Sequence, residues 1–232
     1  MAQRNLNFRV GGKMYILAFD TTAGNCSIAL LQDGRPVSVF AQTMDFGQAE
    51  VLIPQIKIML EEQNLRFSDL GLIAVCDGPG SFTGVRASVS AARAFSLSCP
   101  DIPVAGVSAF DAYLMELQGA ELAARNLVII ETKREDFYFQ IFDEAGAKIT
   151  DPAAGTREDI LEFLKGGRKV SVIGDGAERF LYSPTGLSLH CIKMPTGVDV
   201  RNVAYCALNQ YQNKRINFPK PLYLRAPDVC IK

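Results

Sequence analysis

The amino-acid sequence predicts an α/β protein of two tandem βββαβα units, on three observations. Apolar runs of strand length alternate with stretches at helical spacing, and the order of these elements begins again near Leu127. Each half also opens on a hairpin whose first strand ends in an acidic residue, Asp20 in one and Glu131 in the other. The expected organisation is a mobile tail over 1–13, a first subdomain over 14–118, and a second over 119–232 that ends in a C-terminal arm.

In the first half, "MYILAFDTT", "NCSIALLQDG" and "RPVSVFAQT" read as a meander of strands, with turn residues Ala23-Gly24-Asn25 and Asp33-Gly34 between them. A helix is expected from about Gln48 to Glu62, then the strand "LGLIAVCD", a helix from Val85 to Ser98, the strand "PVAGV" and a helix from Ala109 to Leu117. In the second half, "LVIIET", "FYFQIFDEAG" and "AKIT" read as strands. The helix "REDILEFLKG", the strand "KVSVIGDG" and a short helix follow. Asp20 stands six residues before Cys26, and Glu131 six before Phe137. Two unrelated hairpins are the alternative, but the matching order of whole elements favours duplication. Met14, just before the first strand, is a second candidate start.

With 232 residues and 48% apolar side chains the chain has enough material for a core. Lys plus Arg, 24, nearly balances Asp plus Glu, 25, which argues against coating nucleic acid by bulk charge. Six cysteines (Cys26, Cys76, Cys99, Cys191, Cys206, Cys230) are scattered without a C-x-x-C pair, and no apolar leader precedes the first strand. A soluble protein of the reducing cytosol is expected, since no run approaches the roughly 20 apolar residues of a membrane-spanning helix.

The most unusual stretch is "CDGPGSFTGVR", Cys76 to Arg86, between a strand and a helix. Phosphate binding is the obvious reading of such a loop, but Gly84 is followed by Val85 and Arg86 rather than the Lys-Ser/Thr of a P-loop. Gly78, Gly80 and Gly84 leave three residues in the second gap, so the dinucleotide fingerprint fails too. Ser81 lacks the Gly-x-Ser-x-Gly elbow, and either Ser81 or Thr83 is expected to cap the following helix.

Tandem units of this order describe the actin, Hsp70 and sugar-kinase architecture, an ASKHA or ribonuclease H-like fold, in which the two opening hairpins embrace the phosphates of ATP. The first hairpin keeps "DTTAGN", so Asp20, Thr21 and Thr22 are weak nucleotide-binding candidates. The second reads "ETKRED", where Lys133, Arg134 and Glu135 replace the small residues that let a backbone approach phosphate. The only histidine, His190, reads as a surface or satisfied strand residue. No His or Cys pair sits four apart on a helix, so neither a catalytic constellation nor a metal site is expected.

The first two long helices carry positive information. Leu52, Ile56, Met59, Ala49 and Leu60 form a core stripe, while Val51, Pro54 and Ile58 form a second apolar stripe on roughly the opposite side. On the next helix Ala87, Ala91, Ala94 and Ser98 make a small-residue stripe along which another helix can approach. Arg86 and Arg93, seven apart, share a face as solvated charges or as partners for carboxylates.

These residues resemble the TsaB (YeaZ) family, bacterial proteins required for threonylcarbamoyl modification of adenosine 37 in tRNA. "YILAFDTTAGNCSIALLQDG" looks like the family's opening hairpin, "GPGSFTGVR" like its signature loop and "PLYLRAPD" like its C-terminal arm. One departure is Gln48-Ala49-Glu50 where members often have His-Ser-Glu. The resemblance implies a degenerate paralogue of TsaD, the catalytic subunit that holds a metal through an H-x-x-x-H pair absent from this chain. It further implies a heterodimer with TsaD through the first two long helices, joined by the ATPase TsaE, with tRNA reached indirectly. The interface set would be Val51, Pro54, Ile58, Gly80, Thr83, Arg86, Ala87, Ala91, Arg93 and Ala94, the glycine loop turning the chain tightly into an interface helix. No cofactor is expected in the chain itself. Nucleotide at a composite subunit junction and a homodimer of the isolated chain stay open. The alternative function is an actin-fold enzyme acting alone, a small-molecule kinase or an M22-like peptidase. The arm "NKRINFPKPLYLR" mixes Lys214, Arg215, Lys220 and Arg225 with Phe218 and Tyr223, a composition suited to tRNA. Pro219 and Pro221 favour the other reading, an extended segment packed on its own domain.

Overall fold

A computed structural model of the chain describes residues 12–44, 46–117, 122–165, 169–182, 187–193 and 195–225. The tail expected over 1–13 falls outside these residues except for Gly12 and Lys13, as does Cys230.

Strand β1 (Tyr15–Asp20) runs antiparallel to β2 (Asn25–Gln32), and β2 to β3 (Arg35–Thr43). Helix α1 (Gln48–Glu62) leads to β4 (Leu70–Cys76), which adds parallel to β1, and α2 (Phe82–Ser98) leads to β5 (Val104–Val107), parallel to β4. Helix α3 (Ala109–Leu114) closes this half. The second half contains β6 (Arg125–Glu131), β7 (Asp136–Phe142), β8 (Ala153–Thr156), α4 (Arg157–Leu164), β9 (Val170–Ile173), α5 (Ala177–Leu181), β10 (Leu189–Lys193) and α6 (Val200–Gln212). The sheets are ordered β3-β2-β1-β4-β5 and β10-β9-β6-β7-β8, the same arrangement read from opposite edges. The duplication expected from the two hairpins is therefore present in the topology.

Period-two alternation decides which side chains meet. In β1 and β2, Ile16, Ala18, Ala29 and Leu31 point into a cluster shared with α3, α6 and the second-half residues Val128, Ile130 and Ile173. Leu17, Phe19, Ile28 and Leu30 point the other way, under α1 and α2. A third cluster, with Phe137, Ile160 and Phe180, lies beneath α4 and α5. Helix α6 packs on β1, β4 and β5 of the first sheet, although it follows the second half in sequence. The α3 helix packs reciprocally on β6. The exchange of helices gives the two halves one shared cluster between a separate core in each.

Two expectations need correction, and one further helix is present. The edge strand β8 is Ala153–Thr156 rather than "AKIT", because the Asp143 carboxylate accepts from the amides of Ala145 and Ala147, both at 2.8 Å, and folds that stretch into a turn. Helix α6 is absent from the order expected above. Its signals are Asp199, whose side chain accepts from Arg201 N at 2.9 Å, and buried Val203, Ala204, Ala207 and Tyr211 at helical spacing. Ala49, in the first turn of α1, is exposed rather than in the core stripe. Leu52, Ile56, Met59 and Leu60 are buried as expected.

Candidate functional site

The glycine loop grips the first hairpin. Ser81 N donates to Thr22 O at 2.7 Å, and a Cβ placed on Gly80 would stand 2.3 Å from that same carbonyl oxygen. A Cβ on Gly84 would stand 1.8 Å from Thr21 O. The Thr21 hydroxyl donates to Gly84 O at 2.7 Å and lies 2.6 Å from Ser88 Oγ, which accepts from Thr21 N at 3.0 Å. These glycines serve the close approach of one backbone to another. Ser81, not Thr83, caps α2, accepting from Gly84 N at 3.4 Å, so the helix begins three residues before the expected Val85.

Asp20, Thr21 and Thr22 are all buried. Burial holds the Asp20 carboxyl above its ordinary value, opposed by hydrogen bonds from Thr22, whose amide donates at 2.8 Å. The hydroxyl of Thr21 is committed to α2, and of the three residues only Thr22 reaches the cleft.

At the corresponding place in the second hairpin, Arg179 makes a bidentate ion pair with Glu131, Nε to Oε2 at 2.8 Å and Nη2 to Oε1 at 2.7 Å. The guanidinium also stacks 3.6 Å above the Phe137 ring centre and donates to Asp136 O at 2.8 Å. Burial raises the Glu131 carboxyl, yet the Arg179 hydrogen bonds and the Lys133 and Thr132 amides outweigh it and hold it below its ordinary value. Lys133 takes a left-handed φ of 58°, a conformation that favours the small residue it replaces. Between the hairpins lies a cleft of about 840 Å³, lined by Thr22, Gly24 and Tyr113 on one side and Glu131, Lys133 and Asp175 on the other.

The outer helix layer is the other candidate. Pro54 and Ile58 are exposed on α1 as expected, Ile58 at 45%. Val51 departs from that stripe: it is half-buried against the core cluster beneath α1. Ile53, equally exposed, joins the outward face instead. On α2, Thr83, Arg86, Arg93 and Ala94 are exposed, Ala87 and Ala91 half-buried, and Ala91 packs on the core. Gly80 faces Thr22. Arg86 lies 5.1 Å from the Phe82 ring centre, and Arg93 donates to Pro219 O at 3.1 Å, so both arginines have partners within the chain. Leu97, 78% exposed on α2 and four residues beyond Arg93, shares that face and joins the outward surface.

A family model described as TsaD: tRNA N6-adenosine threonylcarbamoyltransferase matches residues 47–229. The chain belongs to this family. Within it the chain falls with the TsaB (YeaZ) proteins, which are among the relatives and solved structures it matches. The tRNA threonylcarbamoyladenosine biosynthesis protein TsaB of Escherichia coli is 30% identical over 57% of this chain and 58% of that protein. An uncharacterized protein of Mycobacterium leprae is 29% identical over 62% of this chain and 40% of its own length. The chain thus spans between two fifths and three fifths of these relatives. YeaZ from Pseudomonas aeruginosa superposes with a TM-score of 0.74 at 20% identity, covering 91% of this chain and all of that one, which establishes the actin-like fold.

Two buried carboxylates are pH-sensitive, Asp175 in the cleft and Asp77 beneath the C-terminal arm. Asp77 follows β4 and Asp175 follows β9, and burial pushes each up to about 6 against opposing hydrogen bonds from the Lys220 and Glu131 amides. Because a free Asp titrates near 3.9, protonation favours the folded state: this stabilisation is full below about pH 4 and is lost as pH rises through about 6. Asp175→Asn removes one such group and is expected to flatten the dependence of Tm on pH between about 4 and 7. Parallel curves for variant and wild type would contradict this. Among the described residues no cluster of three or more His, Cys, Asp or Glu is placed to hold a metal, and His190 is exposed on β10. No helix of the described residues is long and apolar enough to cross a membrane.

Proposed function

We propose that this TsaB-family chain acts in threonylcarbamoyl modification of adenosine 37 in tRNA as a non-catalytic scaffold subunit, the partner and activator of TsaD. The observation that carries the reading is the Glu131–Arg179 pair, which neutralises the second hairpin's acidic residue where an actin-like enzyme would meet nucleotide phosphate. Commitment of Thr21 to α2 supports it from the first hairpin. The outward side chains of α1 and α2 supply a face for the same helices of TsaD, with TsaE joining the pair in the cytoplasm and tRNA reached through the complex. Nucleotide would be held at most where two subunits meet. The cleft volume, within the usual 300–1,000 Å³ of ligand sites, favours the competing reading of a small-molecule kinase. Isothermal titration of the isolated chain with ATP and magnesium separates them. Binding no tighter than about 1 mM is expected, whereas micromolar binding with turnover would establish the kinase.

A further inference from the structure

After α6 the chain runs without regular structure to Arg225 and crosses from one half to the other. Its near end is pinned at β5. Gly106 N donates to Asn217 O at 2.7 Å, while Gln210 of α6 bonds Gly106 O at 3.0 Å and Asn217 N at 2.9 Å. The middle lies against the loop after β4, where Leu222 N donates to Asp77 O at 2.8 Å and Pro219 is buried. A Cβ on Gly106 would come within 2.9 Å of Pro219 Cα, so the seat is shaped to this segment. Tyr223 then packs on Phe82 with ring centres 5.3 Å apart, and Arg225 forms an ion pair with Asp136, at the start of β7 in the second half. The arm thus packs on its own fold, and Leu222 to Arg225 line the cleft.

We propose that this segment is a strap that holds the cleft closed, with the Arg225–Asp136 pair as its clasp. The shared core of α3 and α6 joins the two halves, a Tyr113–Asp175 hydrogen bond links them inside the cleft, and two ion pairs link them nearer the surface. The Lys148–Asp111 pair is 54% and 34% exposed, and such pairs contribute little. Arg225 and Asp136 are 29% and 12% exposed, and Asp136 is held in place by the Thr132 hydroxyl at 3.0 Å. Removing one partner therefore leaves a largely buried charge unpaired, which favours separation of the lips. The device is internal to the chain and does not depend on the scaffold reading.

The test is pulsed electron paramagnetic resonance on the full chain, with spin labels at Thr43→Cys and Glu178→Cys. Both positions are exposed and lie on opposite lips. The half-buried Cys99 and Cys191, together with Cys230, are replaced by serine. One narrow distance distribution is expected in the parent. Arg225→Ala and Asp136→Asn should each raise the longer-distance population roughly tenfold without changing the circular dichroism spectrum. An unchanged distribution in either variant would overturn the strap. So would loss of the folded spectrum, because the pair would then hold the fold rather than the cleft.

Discussion

Gly84→Ala is expected to cost the chain about 3–6 kcal/mol, a large part of the 5–15 kcal/mol by which domains are stable. Alanine is intrinsically better than glycine inside a helix by about 1 kcal/mol, so propensity alone predicts a gain. The geometry reverses the sign. The new Cβ would lie 1.8 Å from Thr21 O and 2.9 Å from Thr21 C, both backbone atoms of a buried strand end. Relief requires α2 and β1 to separate by more than an ångström. That breaks the Thr21 hydroxyl bond to Gly84 O and the Thr21 N bond to Ser88, leaving buried polar groups unpaired. Urea unfolding measures the loss, and a decrease below about 1 kcal/mol would show that the loop tolerates the separation.

Ile58→Glu is expected to leave the isolated chain's Tm nearly unchanged and to weaken its association with TsaD on the order of a thousandfold. Ile58 is 45% exposed on α1, so a carboxylate there meets water in the free chain. Buried against a partner helix, the same charge would be unpaired and would cost several kcal/mol. Ile56, two residues away and 3% exposed, is the control: Ile56→Ala should lower stability by about 2–5 kcal/mol through cavity formation. Thermal melts beside size-exclusion chromatography with and without TsaD separate the two phenotypes. Val51, half-buried against the core, should behave more like Ile56 than like Ile58.

The elements read most directly from the sequence were those whose signal is local. Alternation in "YILAFD" and "NCSIALLQ", with Gly24 and Gly34 at the turns, brackets β1 to β3, and the spacing of Leu52, Ile56 and Met59 brackets α1. Helix α6 carries comparable spacing, but its polar Asn202 and Gln210 are satisfied by Glu116 and Gly106, partners about a hundred residues away, so its amphipathic stripe reads as broken. The β8 shift has a similar origin, since one Asp143 side chain decides where turn ends and strand begins. At the cleft, "ETKRED" marks a hairpin unsuited to phosphate. What fills it, Arg179, lies 48 residues further on and is brought there by α5. The role of Gly84 was equally hidden, because it depends on a carbonyl 63 residues earlier in the chain.

The scaffold reading is tested most directly by following threonylcarbamoyl transfer to tRNA with TsaD and TsaE from the same organism, with and without this chain. Product is expected to depend on the chain and to fall to the level of its omission with Ile58→Glu, while the chain alone yields none. Undiminished product without the chain, or ATP turnover and modification by the chain in the absence of TsaD, would contradict the account.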